Sequence, residues 1–316
     1  MPNPTLNIMV LAGGISHERE VSLRSGRRVA DALLEAGHEV TIVDPDARLF
    51  DLLMNEKPDV VWPAVHGASG EDGALLDLLD ASGVSYVGPH AASARLAWNK
   101  PVAKTLVQRA GIATPESITL PREAFRELGA STVLEVVTQG LGHDLVIKPA
   151  QGGSSQGVSL VSSADALPRA MVDAYTYYEV ALLEKRAYGT EVAVTVIDDG
   201  SGPRALPVVE IVPSDGFYSF EARYNAGETT FFTPARLSEM VLAAVSEAAV
   251  VVHETLGLDY LSRIDFIIDE SGNPIFLEAN ALPGLTETSS APLAIEASGT
   301  AASTLFNALA LRAAQR

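Results

Sequence analysis

The first hundred residues alternate between short apolar runs and segments whose apolar residues recur at helical spacing. Four apolar runs are too short for helices and are typical of strands, namely NIMVLAGG (7–14), EVTIVD (39–44), DVVWPAV (59–65) and VSYVG (84–88). Helices are predicted over 22–37 and 73–83, the first with Ser22 as its N-cap and Gly37 at its end. Strands alternating with helices predict a doubly wound parallel sheet, which binds ligands at the carboxyl ends of its strands.

From Asn99 onward the pattern changes to a mixed one. The pattern predicts a second unit. It consists of a helix from Asn99, an extended segment PESITLP, two short helical stretches, and three strands with a helix among them. The remaining elements are expected at 190–198 and 204–213 (strands), 214–235 (a polar loop), 236–256 (a helix), 260–280 (a hairpin) and 300–315 (a helix). At ~100–200 residues per domain, we expect three units, at 1–98, 99–186 and 187–316.

Composition excludes several classes of protein. With 22 Lys and Arg against 40 Asp and Glu, the net charge is −18, and nucleic-acid binding needs a basic surface instead. No run approaches the ~18 apolar residues of a membrane helix, and MPNPTLNIMVLAGG has no basic region before its apolar part. The absence of cysteine rules out disulfides, thiolate metal sites and cysteine nucleophiles. We therefore expect a cytoplasmic protein that binds neither nucleic acid nor membrane.

A predicted hairpin, SRIDFIIDESGNPIFLEAN, carries charged residues on both strands. With Ser271 and Gly272 as a two-residue turn, Asp265 lies opposite Glu278 and Arg263 opposite Asn280. Alternation puts all four on one face, and Ile264, Phe266, Leu277 and Ala279 on the other. Opposed carboxylates repel, so either Arg263 neutralises a solvated acidic face or the pair binds a cation such as Mg²⁺.

Lysine is scarce in this chain, and Lys148 ends an apolar strand directly before a Gly/Ser loop, QGGSSQG (151–157). Gly152, Gly153 and Gly157 let backbone amides approach an anion, and Ser154 and Ser155 add hydroxyls, so the loop is a candidate phosphate cradle. Most such loops are merely turns. Neither a Walker A motif, nor GxGxxG, nor GxSxG, nor HExxH occurs.

Taken in order, several segments resemble the D-alanine–D-alanine ligases of the ATP-grasp superfamily. They are GGISHEREVSL (13–23), HGASGEDG (66–73), Asn99-Lys100, VIKPAQGGSSQGV (146–158), LLEKRAYGTE (182–191), FYSFEARY (217–224), RIDF (263–266) and LEANALPGLTETSS (277–290). The resemblance spans nearly the whole chain. It implies an α/β N-terminal domain followed by two mixed α/β subdomains that clamp ATP.

The resemblance also implies a reaction. ATP phosphorylates the carboxylate of a first D-alanine, the amine of a second attacks the acyl phosphate, and D-alanyl-D-alanine is released for peptidoglycan synthesis. The implied cofactors are ATP and two Mg²⁺ ions, with Mn²⁺ as a substitute, and the implied assembly is a homodimer.

Site residues follow from the same resemblance. The expected catalytic residues are Glu20, Ser154, Tyr224, Arg263 and Gly284. Amino-acid substrates are expected at Glu20, His66, Arg263, Gly284, Ser289 and Ser290. ATP is expected at Lys100, Lys148, Ser154, Ser155, Glu184, Lys185, Ala187, Glu191 and Arg223, and Mg²⁺ at Asp265, Glu278 and Asn280.

Four positions depart from the family's pattern. Asn99 replaces its usual Asp, Gly152 its Glu, Arg223 its Lys, and Ser290 a Leu that borders the second substrate. The departures keep two alternatives open, a ligase for another pair such as D-alanine with D-serine and an enzyme that closes an intramolecular amide. A silent ATP-binding paralogue is a third, although the implied catalytic set is complete.

Overall fold

The computed structural model describes residues 4–219, 222–223, 225 and 227–316. The N-terminal strands are β1 (Asn7–Leu11), β2 (Glu39–Val43) and β3 (Val60–Pro63), which form a parallel sheet of order β2-β1-β3. Its helices are α1 (Arg19–Glu35), α2 (Leu49–Glu56), α3 (Ala68–Glu71), α4 (Ala74–Ser82) and α5 (Ala91–Trp98). The strand expected at 84–88 is absent; only a single bridge joins Tyr86 to Val61.

Helices cover both faces of this sheet, as a doubly wound arrangement requires. Ile8 and Val10 belong to the same buried cluster as α1, whereas Met9 and Leu11 belong to the cluster that contains α2 and α4. Successive strand residues point to opposite faces, so the continuous apolar run of β1 is buried on both sides. The predicted parallel sheet is confirmed.

Helix α1 begins three residues before the expected N-cap, Ser22. Ser22 is fully buried inside the helix, where its hydroxyl accepts a hydrogen bond from the Gly13 amide (2.8 Å) and donates one to the Ala64 carbonyl (2.6 Å). This serine therefore joins the loops after β1 and β3 instead of capping the helix. The true N-cap position is occupied by Glu18.

The middle of the chain forms an antiparallel sheet of order β4-β7-β5-β6 with its own core. Helix α6 (Lys100–Arg109) comes first and packs with α5 and the last sheet instead of this core. The other elements are β4 (Ser117–Pro121), α7 (Arg122–Glu127), α8 (Ala130–Leu141), β5 (Leu145–Pro149), β6 (Ser159–Val161), α9 (Leu167–Tyr177) and β7 (Val180–Lys185). Asn99 caps α6 by accepting a hydrogen bond from the Val102 amide (3.2 Å). The expected elements of this unit are confirmed.

The last part forms an antiparallel sheet of order β11-β10-β8-β12-β13, with β9 beside β8. Its elements are β8 (Thr190–Ile197), β9 (Arg204–Ala205), β10 (Val209–Pro213), β11 (Thr229–Phe232), α10 (Glu239–Thr255), β12 (Leu261–Ile268), β13 (Pro274–Asn280), α11 (Ser290–Ala297) and α12 (Ala302–Ala313). The strand expected at 204–213 is divided between β9 and β10, because Pro207 lacks the amide that a continuous ladder needs. The sequence patterns did not predict β11 or α11.

Each sheet lies within one of the three predicted units, yet the first and last parts of the chain share their cores. Val29 of α1 and Trp62 of β3 belong to one cluster with Tyr260 and with Leu309 of α12. The unit boundaries at 98/99 and 186/187 stay predictions. Among the helices of the described residues, none is both long and apolar enough to span a membrane.

Candidate active site

Two adjoining cavities lie between the antiparallel sheets and the N-terminal loops. The larger, of about 460 Å³, is lined by β5 and β7 on one side and by β8, β10, β12 and β13 on the other. The smaller, of about 50 Å³, is lined by loops after β1, β3 and β13. Both cavities are lined by Gly153, Ile211, Tyr218, Arg223 and Asp265. They therefore form one site with two compartments.

Two buried lysines line the larger cavity. Lys100, the first residue of α6, donates a hydrogen bond to the Gly152 carbonyl (2.5 Å), and its Nζ lies 3.3 Å from Glu278 Oε2. Lys148 near the end of β5 places its Nζ 2.5 Å from Glu184 Oε2. Two ammonium groups at one cavity wall are suited to a polyanionic ligand such as a polyphosphate.

Glu184 is held between two lysines. One carboxylate oxygen is bound by Lys148, and the other accepts a hydrogen bond from Lys104, which was not among the predicted site residues. Burial raises the pKa of the Glu184 carboxyl, but the two lysines outweigh burial and bring the pKa below its ordinary value. Burial also lowers the pKa of Lys104, an effect that Glu184 opposes.

The Gly/Ser loop at 151–157 is tied to the loop that follows β10. Ser155 Oγ donates a hydrogen bond to the Tyr218 carbonyl (2.8 Å) and accepts one from Arg223 Nε (3.0 Å). The guanidinium of Arg223 stacks over the Tyr218 ring at 4.2 Å from its centroid. Tyr218 thus contributes to the site although the motifs did not single it out. Tyr224, an expected catalytic residue, lies outside the described residues.

The hairpin pairs its charged residues as expected. Asp265 lies opposite Glu278 and Arg263 opposite Asn280. Arg263 binds both carboxylate oxygens of Asp265, each at 2.8 Å. Burial raises the pKa of Glu278, but Lys100 and Arg223 outweigh it and lower the pKa to about 2. Glu278 is therefore ionised at neutral pH.

The register nearer the turn differs from the prediction. The loop spans residues 269–273 rather than two residues, and Ile268 pairs with Pro274. A register shift between Asp265 and Phe266 restores the expected pairing. It leaves Phe276 in the core and turns Leu277 toward the larger cavity. The prediction that Leu277 faces away from the site is wrong, because one residue more on β13 reverses the alternation.

The donor set of the hairpin suits a hard divalent cation. Asp265, Glu278 and Asn280 offer carboxylate and amide oxygens at the cavity walls, which are ligands that Mg²⁺ accepts. Within the described part of the chain, no group of three or more His, Cys, Asp or Glu could hold a metal ion unaided. An ion bound here therefore needs further oxygen ligands, such as water and phosphate.

All but one of the residues expected to bind the amino-acid substrates line the smaller cavity, namely Arg263, Gly284, Ser289, Ser290 and His66. The exception is Glu20. The acidic residue of this motif that reaches the cavity is Glu18, which is buried and accepts a hydrogen bond from the Ser154 hydroxyl. A Cβ at Gly153 would lie 3.1 Å from Glu18 Oε1. One at Gly67 would lie 2.7 Å from Oε2, at a φ of 77°. Glycine lets both loops approach this carboxylate closely.

Glu20 is exposed in the first turn of α1. It lies two residues beyond Glu18, which corresponds to about 200° around a helix. Its expected contact with Ser154 is therefore corrected to Glu18. The resemblance pointed to the segment EREVSL, which contains both glutamates, and only the structure shows which of them is buried.

His66 is fixed by neighbours on two helices, Ser25 of α1 and Glu71 of α3. Its Nε2 lies 2.9 Å from Ser25 Oγ, and its Nδ1 lies 3.9 Å from Glu71 Oε1. Burial raises the pKa of Glu71, and the contact with His66 opposes that rise. Both His66 and Glu71 line the smaller cavity.

The two consecutive serines differ in their surroundings. Ser289 Oγ accepts a hydrogen bond from the Thr286 amide (3.2 Å) and lies 2.9 Å from Thr286 Oγ1. Ser290 begins α11 and is 4% exposed. Ser290 makes this part of the wall of the smaller cavity polar. An aliphatic side chain at the same position would make it apolar.

Of the residues expected to bind ATP, all but Ser154 line the larger cavity, and Ser154 lines the smaller one. Lys185 pairs with Glu116 at the cavity edge, next to Ala187. Burial raises the pKa of Glu191 to about 7, with Arg223 lowering it and Asp265 raising it further. The structure thus brings these residues together at one cavity.

Comparison with known proteins gives a consistent result. Residues 106–310 match the family model described as "D-ala D-ala ligase C-terminus". The chain is 39% identical over 285 residues to a D-alanine–D-alanine ligase of Anaeromyxobacter sp. (strain K), covering 90% of this chain and 89% of that protein. A relative of the same name from Halalkalibacterium halodurans is 37% identical over 300 residues, covering 93% and 94%.

Solved structures of ligases share the fold. The D-alanine–D-alanine ligase of Bacillus anthracis complexed with ATP superimposes with a TM-score of 0.79 at 25% identity, covering 98% of this chain and 99% of that one. The VanG D-Ala:D-Ser ligase of Enterococcus faecalis gives 0.80 at 26% identity, covering 97% and 98%. The same α/β fold therefore occurs in ligases that differ in their second amino acid.

Proposed function

This chain belongs to the D-alanine–D-alanine ligase family, and we propose on that premise that it is an ATP-dependent ligase joining two D-alanines for peptidoglycan synthesis. The observation that carries the proposal is the junction of the two cavities at Gly153, Arg223 and Asp265. A cavity with two lysines opens there onto a smaller one with a buried carboxylate and an arginine. Such a junction lets a phosphoryl group meet an amino-acid carboxylate.

The reaction proceeds in two steps. A carboxylate oxygen of the first D-alanine attacks the γ-phosphorus of ATP, and the bond to the ADP oxygen breaks. The amine of the second D-alanine then attacks the acyl carbon and loses a proton. The tetrahedral intermediate collapses by releasing inorganic phosphate, so one ATP and two D-alanines give ADP, phosphate and the dipeptide.

Glu18 binds the ammonium group of the first D-alanine in this proposal, the role that the sequence had suggested for Glu20. Its carboxylate is buried at the smaller cavity, where a cationic group of a ligand is the natural partner. His66 lies on the neighbouring loop of the same cavity. Ser289 and Ser290 border the second amino acid.

Positive groups stabilise the charge that develops. Lys100 and Lys148 neutralise the ATP phosphates as the γ-phosphoryl group leaves, an electrostatic task that depends on fixed positions. Arg263 and the backbone amide of Gly284 stabilise the oxyanion of the tetrahedral intermediate. The bidentate pair with Asp265 fixes the direction of the Arg263 guanidinium.

Asp265, Glu278 and Asn280 would hold two Mg²⁺ ions, or Mn²⁺ in their place. When bound, such ions would neutralise the charge of the ATP phosphates. The hairpin itself supplies two carboxylates whose mutual repulsion Arg263 and Lys100 now offset.

The remaining contacts position the nucleotide. Glu191 accepts a hydrogen bond from a ribose hydroxyl, and the backbone near Lys185 and Ala187 binds adenine. Glu184 retains acceptor sites for the adenine amine beyond its two lysine contacts, because a carboxylate offers about four lone-pair sites.

Loop closure protects the acyl phosphate from water. Ser154 bonded to Glu18, together with Tyr224, would fasten the loop at 214–235 over the site. The contacts of Ser155 and Arg223 across the same boundary support this closure.

The test is ADP release by the purified protein with Mg-ATP and a panel of single and paired D-amino acids, with products identified by mass. We expect D-alanine alone to give D-alanyl-D-alanine at the highest kcat/KM. Turnover only with another pair would overturn the assigned substrate, and ADP release that needs no amino acid would overturn the ligase itself.

A second candidate acceptor is D-serine. It is favoured by Ser290, a polar residue that lines the smaller cavity. A hydroxyl or methylene in a pocket shifts selectivity by roughly 1–3 kcal/mol. If D-serine is used, Ser290→Leu lowers kcat/KM for D-serine relative to D-alanine; an unchanged ratio would exclude this candidate role.

We also propose that the enzyme is a cytoplasmic homodimer, as the family suggests. Its substrates, ATP and D-alanine, are small molecules of the cytoplasm. Sedimentation velocity on the full chain tests the assembly, and a single monomeric species at micromolar concentration would contradict it.

A further inference from the structure

Lys104 is a buried charged residue that the proposed reaction does not use. It lies on α6 one turn after Lys100, is 4% exposed, and is absent from the residues that line the larger cavity. Its Nζ donates a hydrogen bond to the Pro115 carbonyl (2.9 Å) and binds Glu184 Oε1. Lys104 therefore contacts the cavity indirectly, through Glu184 and Pro115, which both line it.

Glu184 is shared between two ammonium groups. Lys148 binds the other oxygen, Oε2, from inside the cavity at 2.5 Å. The three side chains carry a net charge of +1, with one cation outside the cavity and one at its wall. If Lys104 were neutral, the carboxylate would cancel the charge of Lys148 alone.

We propose that Lys104 is a positioning residue for ATP. By pairing with Glu184, it offsets the negative charge of that carboxylate, so that the Lys148 ammonium stays directed into the cavity and attracts a phosphate. This inference rests on the proposed function, because it assumes that the larger cavity binds ATP. It assigns a role to a residue that touches no substrate. The ion pair with Lys104 also fixes Glu184, whose buried carboxylate would otherwise be paired with Lys148 alone.

The test compares Lys104→Met, which removes the charge, with Lys104→Arg, which keeps it, and with the wild type. In Lys104→Met we expect the KM for ATP and the Kd for ADP, measured by titration calorimetry, to rise about tenfold, the size of one charge-assisted hydrogen bond. The KM for D-alanine should not change. Lys104→Arg should bind ATP and ADP within about threefold of the wild type, because it keeps a positive charge beside Glu184.

The control is Lys57→Met, which removes an exposed lysine far from both cavities and should leave all constants unchanged. If Lys104→Met does not fold, Lys104→Gln carries the test: it removes the charge but still donates a hydrogen bond, and its Kd for ADP should also rise about tenfold. A lowered Tm with an unchanged Kd for ADP, or a Lys104→Arg variant that binds ADP as weakly as Lys104→Met, would overturn the inference. A wild type that binds no ADP would overturn the proposed function first.

Discussion

Two glutamates, two residues apart, show how far a single residue's role depends on local geometry. Glu18 precedes the first turn of α1 and is enclosed by the loops that contain Gly67 and Gly153. Glu20 has the same chemistry but is exposed. A motif alone does not distinguish them, whereas the start of the helix does.

The substitutions Glu18→Gln and Glu20→Gln form a matched pair. We expect Glu18→Gln to lower kcat/KM for D-alanine on the order of 100-fold, since a hydrogen bond to a charged group contributes roughly 1.5–3 kcal/mol. Glu20→Gln should have kinetics close to those of the wild type. Steady-state assays at saturating ATP measure both, and a larger loss in Glu20→Gln would contradict the placement of Glu18.

The raised pKa of Glu191 predicts that the stability of the folded protein depends on pH. Its pKa of about 7 in the folded protein lies above the ordinary 4.5, so the folded state binds more protons than the unfolded state between these values. Stability contributed by this group is therefore lost as pH rises through that window. Glu191→Gln cannot ionise, and its free energy of unfolding relative to the wild type should increase from pH 5 to pH 8. Urea denaturation of the ligand-free protein measures this difference, and a gap that is constant with pH would contradict it.

At the scale of elements, the pairing of the charged residues in the β12–β13 hairpin was predicted correctly, and the pairing near its turn was not. The loop is longer than two residues, since Asp269 accepts hydrogen bonds from the amides of Ser271 and Asn273. The register shift after Asp265 then compensates for that difference. Alternation predicts pairing from a turn, but a sequence pattern does not reveal a bulge.

Helix α6 carries two lysines of the site and begins at a cap, so its N-terminus affects both stability and ATP binding. Asn99→Ala removes the hydrogen bond to the Val102 amide and should lower the free energy of unfolding by about 1 kcal/mol. The KM for ATP should also rise, because Lys100 is the next residue. Asn99→Asp keeps the cap and serves as the control. Urea denaturation and ATP kinetics measure both variants, and equal stability of the two would contradict this account.

At the scale of the whole molecule, the sequence predicted the N-terminal parallel sheet and most strands of the other two units, but not how these parts share cores. Strand and helix periodicity shows which face of an element is buried, but not the partner that covers it. Hence the contact of α12 with the N-terminal helix and strand was not foreseen, although Leu309 and Val29 are both fully buried in one cluster. The same limit explains why Lys104 was missed, since its partner Glu184 lies 80 residues away.

The site itself was predicted largely from motifs whose order matches a family. Four of these residues line one cavity as expected: Lys100 from the start of α6, and Lys148, Asp265 and Glu278 from within β5, β12 and β13. Tyr218 could not be identified, because the loop that carries it has no periodic pattern. Its packing depends on Arg223 and Ser155, which only the folded chain brings near it.

The central claim is that the two cavities act as one site in which an amino-acid carboxylate takes the γ-phosphoryl group of ATP. The most direct measurement is the fate of oxygen-18 during turnover of D-alanine labelled in its carboxylate. The account predicts that each released phosphate contains one labelled oxygen and that the label is found by mass spectrometry of the phosphate. Released phosphate without oxygen-18, alongside dipeptide formation, would contradict the acyl-phosphate route and the joint role of the cavities.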